Sequence, residues 1–311
     1  MSPLGHAYAA AGLLRGALAR PRRVAAPVIC VGNLVAGGAG KTPTALAIGD
    51  WLKGRGRTFH FLTRGYGGKL AGPVAVQPDR HDAGAVGDEA LLLAARAPTW
   101  VARDRAAGAM AAVAAGAEVV VMDDGHQNPS LHKDISVVVI DSGYMFGNGR
   151  IIPAGPLREP IARGLARADA VVAVDDPGLV RRLDALCDFR GPVLRARLVP
   201  TAAAYRLIDV PVVAFAGIAR PAKFFATLQA LGARLLSCHD FADHHVFSPE
   251  EIMGLVDVAQ AAGARLVTTT KDAARLPREA RTMVEVLEVD LEFDAAAALD
   301  GLLAPLFGDR Q

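Results

Sequence analysis

Gly37-Gly38-Ala39-Gly40-Lys41-Thr42-Pro43 is the stretch whose reading decides the fold. The apolar run Val28-Ile29-Cys30-Val31 precedes it, and Thr44-Ala45-Leu46-Ala47-Ile48, a helix-like segment, follows. Strand, glycine-rich loop and helix form the context of a phosphate-binding loop. The glycines let backbone N–H groups close around phosphate oxygens, and the helix N-terminus adds its partial positive charge. Lys41 would then reach the β- and γ-phosphates, and the Thr42 hydroxyl would ligate Mg²⁺. The strict pattern G-x-x-x-x-G-K-[ST] asks for glycine where Val35 stands. The match is therefore to a variant loop, with Gly37 and Gly38 supplying the flexibility. A glycine-rich turn between an arbitrary strand and helix is the competing explanation, and Gly-Lys-Thr in this context outweighs it.

Outward from the loop, buried strands and helices alternate. Val28–Val31, Thr58–Thr63, Glu118–Met122, Ile135–Ile140, Ala168–Val174 and Pro192–Leu198 read as strands. Several are apolar without alternation, as the buried strands of a parallel sheet are. Thr42–Lys53, Asp88–Arg96, Asp104–Ala115 and Gly178–Cys187 read as helices. Arg64-Gly65-Tyr66-Gly67-Gly68 is a loop, and Gly147–Pro160 is a Gly/Pro-rich connection. The pattern predicts an α/β fold with a doubly wound parallel sheet of the P-loop NTPase type. It restarts after Pro200–Tyr205, with strands at Pro211–Ala216, Arg234–Cys238 and Arg265–Thr269 and helices at Pro221–Leu231 and Pro249–Ala262. The expected organisation is an N-terminal helix over 1–24, a phosphate-loop domain over 25–199, a linker over 200–209 and a smaller α/β domain over 210–311.

The 311 residues suffice for two such domains, and 52% apolar residues can fill both cores. A net charge of +2 carries no nucleic-acid signal, and none is expected as partner. Cys30, Cys187 and Cys238 are far apart and form no C-x-x-C, which fits a reducing compartment rather than a disulfide framework or a zinc site. Ala7–Ala19 is apolar but shorter than the ~20 residues of a spanning helix, and Arg15 interrupts it. With Arg20, Arg22 and Arg23 it suits either the headgroup layer of an anionic leaflet or ordinary packing on the domain.

Other segments carry possible chemistry. Val119–Met122 delivers Asp123-Asp124-Gly125 to a strand end beside the phosphate loop, where a carboxylate holds Mg²⁺ directly or through water. An Asp-Gly turn is the bland alternative. Gly87-Asp88-Glu89 opens a helix, a position where acidic residues also serve as caps. His239-Asp240-Phe241-Ala242-Asp243-His244-His245 is open to three readings: a metal cluster, a base pair or a polar strand-end loop. Thr268-Thr269-Thr270-Lys271-Asp272 is similar to the guanine-reading [NT]-K-x-D element but lacks its spacer, so it does not argue for GTP.

Together these pieces resemble the tetraacyldisaccharide 4′-kinase family of lipid A biosynthesis in Gram-negative bacteria. The resemblance rests on Val31-Gly32-Asn33 with Gly37–Pro43, Arg64-Gly65-Tyr66-Gly67, Gly87-Asp88-Glu89, Asp123-Asp124-Gly125 with Gln127, and Pro153-Ala154-Gly155-Pro156-Leu157-Arg158-Glu159-Pro160. It continues through Ala216-Gly217-Ile218 with Pro221 and Phe224-Phe225, Asp243-His244-His245, and Thr269-Thr270-Lys271-Asp272. The family's usual Asp-Asp-Gly-Phe/Leu-Gln-His reads here Asp123-Asp124-Gly125-His126-Gln127-Asn128, so its final histidine is replaced.

The resemblance implies transfer of the ATP γ-phosphoryl group to the 4′-hydroxyl of a tetraacylated disaccharide 1-phosphate, giving lipid IVA. It also implies two α/β/α domains with the site in the cleft between them. Asp88 and His244 would be the base pair, with Lys41 acting on the phosphates. Gly37, Gly38, Ala39, Gly40, Lys41, Thr42, Pro43 and Gln127 would bind ATP. Thr42, Asp123 and Asp124 would hold Mg²⁺, and Arg64, Tyr66, Glu89, Arg158 and Glu159 the acceptor. A monomer attached peripherally to the cytoplasmic face of the inner membrane is expected. The residues alone leave two alternatives: another P-loop kinase or ligase acting on a soluble molecule, and a non-catalytic nucleotide switch.

Overall fold

The computed structural model describes residues 3–175 and 189–308. The helix expected at Gly178–Cys187 lies outside them. Nine strands form the larger sheet: β1 (Val28–Gly32), β2 (Phe59–Thr63), β3 (Val74–Ala75), β4 (Thr99–Val101), β5 (Val119–Asp123), β6 (Ile135–Asp141), β7 (Ala170–Val174), β8 (Val193–Pro200) and, returning from near the C-terminal end, β13 (Val289–Phe293). Their order is β13-β8-β7-β6-β1-β5-β2-β4-β3. Only the outermost pairs, β13 with β8 and β3 with β4, are antiparallel. β1 lies between β5 and β6, and the chain leaves for opposite halves of the sheet on its two sides. This reversal of strand order is where open α/β sheets bind ligands, outside the carboxyl ends of the strands.

Four strands form the second sheet, all parallel, in the order β10-β9-β11-β12: β9 (Pro211–Ala216), β10 (Arg234–Asp240), β11 (Arg265–Thr269) and β12 (Glu285–Leu287). Its order reverses about β9, so it has a switch point of its own. The helices are α1 (Pro3–Leu18), α2 (Lys41–Gly54), α3 (Ala83–Val86), α4 (Asp88–Ala94), α5 (Arg105–Ala114), α6 (Ile161–Leu165), α7 (Pro221–Leu231), α8 (Pro249–Ala261), α9 (Thr270–Arg275) and α10 (Ala296–Leu303).

The sequence predicts one unit over 210–311, and the structure differs at its end. β13 pairs with β8 in the larger sheet, and Leu291, Leu299 and Leu303 join the core that Ile48 and Leu52 of α2 fill. Trp51 of α2 stacks near Phe307 at 6.2 Å. A strand buried on one face and an amphipathic helix can cap either sheet, and the free β8 edge takes them. Each fully buried Leu or Ile side chain there contributes about 1.5–3 kcal/mol. The chain thus crosses between the units twice, once after β8 and once before β13.

Candidate active site

The phosphate loop leaves β1 at Gly32 and enters α2 at Lys41. Gly40 takes the left-handed conformation at the helix N-cap, with φ 89°. Val35, where the strict motif has glycine, is buried and bridges antiparallel to Leu157. Flanking bonds run from Ala36 N–H to the Pro156 carbonyl and from Arg158 N–H to the Leu34 carbonyl, both 2.8 Å. The loop entrance is therefore a short ladder with Pro153–Pro160, which explains how two motifs 120 residues apart meet and why a β-branched residue is accepted here.

Lys41 is buried, its Nζ 3.5 Å from the Gly37 carbonyl oxygen and 3.8 Å from Asp124 Oδ1. β1 and β5 place Val31 opposite Asp123. The Thr42 hydroxyl donates to Asp123 Oδ2 at 2.8 Å, while Asp123 Oδ1 is buried with no partner. Burial first, then the charges of Glu89 and Asp124 against those of Lys41 and Thr42's hydrogen bond, push the Asp123 carboxyl up to about 7. An orphaned carboxylate oxygen beside a threonine hydroxyl is a hard-oxygen donor set that fits Mg²⁺, which takes its other ligands from phosphate and water.

Asp124 behaves differently. Arg158 grips it with Nη1 on Oδ1 at 2.7 Å and Nη2 on Oδ2 at 3.2 Å. Burial would raise its carboxyl, but Lys41 and Arg158 hold it below the ordinary range. Of the two expected metal ligands, the geometry favours Asp123. Asp123→Asn is expected to raise the Mg²⁺ concentration for half-maximal rate ~10–100-fold. A Mg²⁺ titration of turnover that superimposes on the wild type would leave Asp123 as a strand-end turn residue.

Gln127 faces away from the loop interior, donating to the Asn33 carbonyl (2.8 Å) and to Glu159 Oε1 (3.0 Å). Glu159 also takes two bonds from Arg167, at 2.8 and 2.9 Å. Asn128, in place of the family histidine, accepts from Ser130 N–H and Oγ–H and from Leu131 N–H, closing a turn. His126 is buried: its Nε2–H donates to the Gly164 carbonyl and its Nδ1 accepts from Ser136 Oγ–H, both 2.9 Å. Burial pushes the imidazole down to about 4, so it is neutral. Its Cβ closes on β1 so tightly that a Cβ at Gly32 would lie 2.5 Å away.

On the larger unit, between β3 and β4, Asp88 opens α4, and His244 meets it from the smaller unit. Gly87, with φ 89°, occupies the N-cap, and a Cβ there would stand 2.4 Å from the Tyr66 carbonyl oxygen. Asp88 is 3% exposed; its Oδ1 accepts from Glu89 N–H and its Oδ2 lies 3.3 Å from His244 Nδ1. His244 has φ 60°, an unusual conformation for a side-chain-bearing residue, and its N–H donates to the Gly217 carbonyl. Tyr66 lays its ring against the His244 imidazole with centroids 5.3 Å apart. Burial tends to raise the Asp88 carboxyl, but His244, Lys271 and Arg275 carry it below its usual range. The interaction with Asp88 raises His244 against the opposing effect of burial. His245 is held elsewhere, on Glu251 at 3.1 Å and against Phe241 and Phe247.

Further ions close the cleft. Arg220, between β9 and α7, is bidentate on Asp141 (2.8 and 2.7 Å) and donates to the Gly38 carbonyl at 2.7 Å. Lys223 reaches Asp141 and Asp175, each at 2.7 Å. Lys271 pairs with Glu89 at 3.0 Å. The carboxyl edges of the two sheets therefore face each other over the phosphate loop.

A family model described as tetraacyldisaccharide-1-P 4′-kinase (LpxK) matches residues 1–306. The chain belongs to this family. A tetraacyldisaccharide 4′-kinase of Rhodospirillum rubrum is 55% identical over 314 residues, spanning 100% of this chain and 94% of that protein. One of Dinoroseobacter shibae is 53% identical over 310 residues, spanning 99% and 92%. An LpxK from Aquifex aeolicus, solved in complex with ATP, superposes with a TM-score of 0.76 at 26% identity, covering 98% of both chains. The chain is a P-loop kinase that uses ATP.

Within this LpxK-type site the structure brings Lys41, Thr42, Asp123 and Asp124 together, and Asp88 with His244 and Tyr66. Gln127, Arg158 and Glu159 gather beside α1. Arg64 is exposed at the end of β2, its charge facing the buried Arg105. Sequence reasoning missed Asp141, Asp175, Arg220, Lys223 and Arg275. Asp141 carried a signal: like Asp123, it ends an unbroken apolar run that leads to the carboxyl edge of the sheet.

Proposed function

We propose that the protein transfers the ATP γ-phosphoryl group to the 4′-hydroxyl of a tetraacylated glucosamine disaccharide 1-phosphate at a membrane surface. The observation that carries the acceptor class is a groove of about 670 Å³ between α1 and the core. Tyr8, Leu13 and Gly16 line one side; Gln127, Arg158 and Glu159 face it from the nucleotide side. An amphiphile fits such a groove, with acyl chains along the helix and sugar toward the phosphate loop. Lys41 stabilises charge on the transferring phosphoryl group; Thr42 and Asp123 would hold Mg²⁺, which when bound would supply charge neutralisation at the phosphates. His244, oriented by Asp88, accepts the proton of the acceptor hydroxyl, a weak nucleophile that needs a positioned base.

Tyr8, Leu13, Leu14 and Leu18 of α1 are exposed, the last by 74%, and Arg15, Arg20 and Arg22 are exposed beside them. No helix among the described residues is long and apolar enough to cross a membrane. An apolar helix uncovered on this scale and flanked by arginines supports peripheral binding to an anionic leaflet.

Turnover of labelled ATP is expected with the tetraacyl disaccharide 1-phosphate and not with its fully deacylated form. Equal turnover of both would remove the lipid reading. Flotation with anionic vesicles is expected at low salt and reduced at high salt, as the arginines each add ~1 kcal/mol near the surface. No association at either salt would leave α1 as a packing helix.

A further inference from the structure

The Thr269-Thr270-Lys271-Asp272 segment is not used by the phosphate chemistry, yet it is built with unusual care. Thr269 caps α9, accepting from Asp272 N–H at 3.1 Å and donating to Asp272 Oδ2 at 2.6 Å. Asp272 is fully buried, and its Oδ1 accepts from Gly217 N–H at 3.0 Å and from Arg275 Nη2 at 2.6 Å. Arg275, one turn along α9, also gives Nη2 to the Gly217 carbonyl at 2.9 Å. That fixes one edge of the guanidinium. Nε and Nη1 remain buried with no hydrogen-bond partner. Nε points across the cleft, 3.6 Å from Asp88 Oδ2, which itself has no well-formed hydrogen bond.

A buried guanidinium with two unpartnered nitrogens is costly unless an anion faces it. Here the anion belongs to the other unit, and the same oxygen faces His244 at 3.3 Å. We propose that Arg275 is a positioning residue of the acceptor-activating pair: carried on the smaller unit, it holds Asp88 as an anion and aims Oδ2 at His244 as the cleft closes. The proposal rests on Asp88 and His244 being the base. The charged groups around the pair are Glu89 on α4, Lys271, Asp272 and Arg275 on α9, and Asp243 beside His244. Lys271 is paired with Glu89 and also draws the Asp88 carboxyl down, and Asp272 takes Gly217 N–H and one edge of Arg275; Arg275 is the cation whose unpartnered Nε directly faces Asp88 Oδ2. Its loss leaves the pair more negative and raises its affinity for a proton.

The test is the pH profile of kcat/KM for Arg275→Met and Arg275→Lys in the full-length protein, with ATP, Mg²⁺ and the tetraacyl disaccharide 1-phosphate. In Arg275→Met the acid limb is expected to move to higher pH by about one unit, the usual scale for losing a neighbouring opposite charge. The rate at the plateau should fall while KM for ATP is kept, and Arg275→Lys should return the limb toward the wild type. An unmoved limb, with the rate falling equally at every pH alongside the melting temperature, would reduce Arg275 to packing. So would an equal shift in both variants. Asp88→Asn measured in parallel separates the two assignments. If it is inactive while the Arg275→Met limb stays fixed, only the role of Arg275 fails. If it is near normal, the base assignment fails with it.

Discussion

Lys41→Ala is expected to lower turnover by ~10²–10³ while leaving the protein folded, the usual effect of deleting a group that stabilises transition-state charge. The ammonium sits inside the loop, held by the Gly37 carbonyl and by Asp124, where the transferring phosphoryl oxygens would pass. Removing it does not strand a buried anion, because Asp124 keeps both bonds to Arg158. The fold should therefore survive, and the loss should appear in turnover. A circular-dichroism melt with a steady-state ATP assay checks both halves of the expectation. Near-normal turnover would remove the phosphate-loop assignment, and with it the role given to Thr42.

The same loop shows how far sequence reasoning reaches. Strand, glycines and Lys41-Thr42 were legible because each element has one physical use, and the unbroken apolar runs marked β1, β5, β6 and β7 as interior parallel strands. Val35 read as a departure from the motif. Its pairing with Leu157 is a contact between residues 122 apart, and nothing local announces it. The return of β13 to the larger sheet was hidden for a related reason. Alternate burial tells which face of a strand is covered, not which of two free edges it joins. Asp124 read like Asp123, and the Arg158 grip that distinguishes it comes from a residue 34 positions away that nothing local announces. Arg220, Lys223 and Arg275 were illegible because surface-type cations at helix starts and ends are common, and their meaning comes from the anion opposite them in another unit.

Those cations also bear on how the cleft works. Asp141 takes three hydrogen bonds from Arg220 and Lys223, which bring its carboxyl down to about 2 although burial works the other way. The Asp141 carboxylate therefore keeps its charge between pH 5 and 8. His244 is a titrating contact between the units, raised above its ordinary value near 6.5 by its interaction with Asp88. The raised imidazole adds attraction between the units that is fully present below about 6.5 and lost as pH rises through the folded value. Catalysis asks for the opposite state, because a protonated imidazole cannot take a proton from the acceptor. The Asp141 pairs can keep the units together over the range in which the base becomes free.

Asp88→Ala and His244→Ala are each expected to cost ~10²–10⁴ in kcat/KM, the range for a positioned general base, and the double variant little more than the worse single. The two residues lie 156 apart in sequence and belong to different units, yet their side chains meet at 3.3 Å beside the Tyr66 ring. A cap explanation for Asp88 accounts for one oxygen only: Gly87 holds the N-cap and Oδ1 accepts from Glu89 N–H, while Oδ2 faces His244 and Arg275. A cap role would predict a stability loss of ~1 kcal/mol with activity largely kept. ATP affinity should change little in all three variants, because neither side chain touches the phosphate loop. The mechanism sets the pH dependence as well: kcat/KM should rise with pH along a limb lying above 6.5, and that limb should vanish in His244→Ala. The comparison is made by steady-state kinetics across pH for the two single variants and the double, with nucleotide affinity measured separately. If removing one residue disables the base, the second removal finds nothing left to disable. Rate losses that multiply fully would mean two independent roles, and near-normal rates with a lowered melting point would mean a contact that only joins the two units.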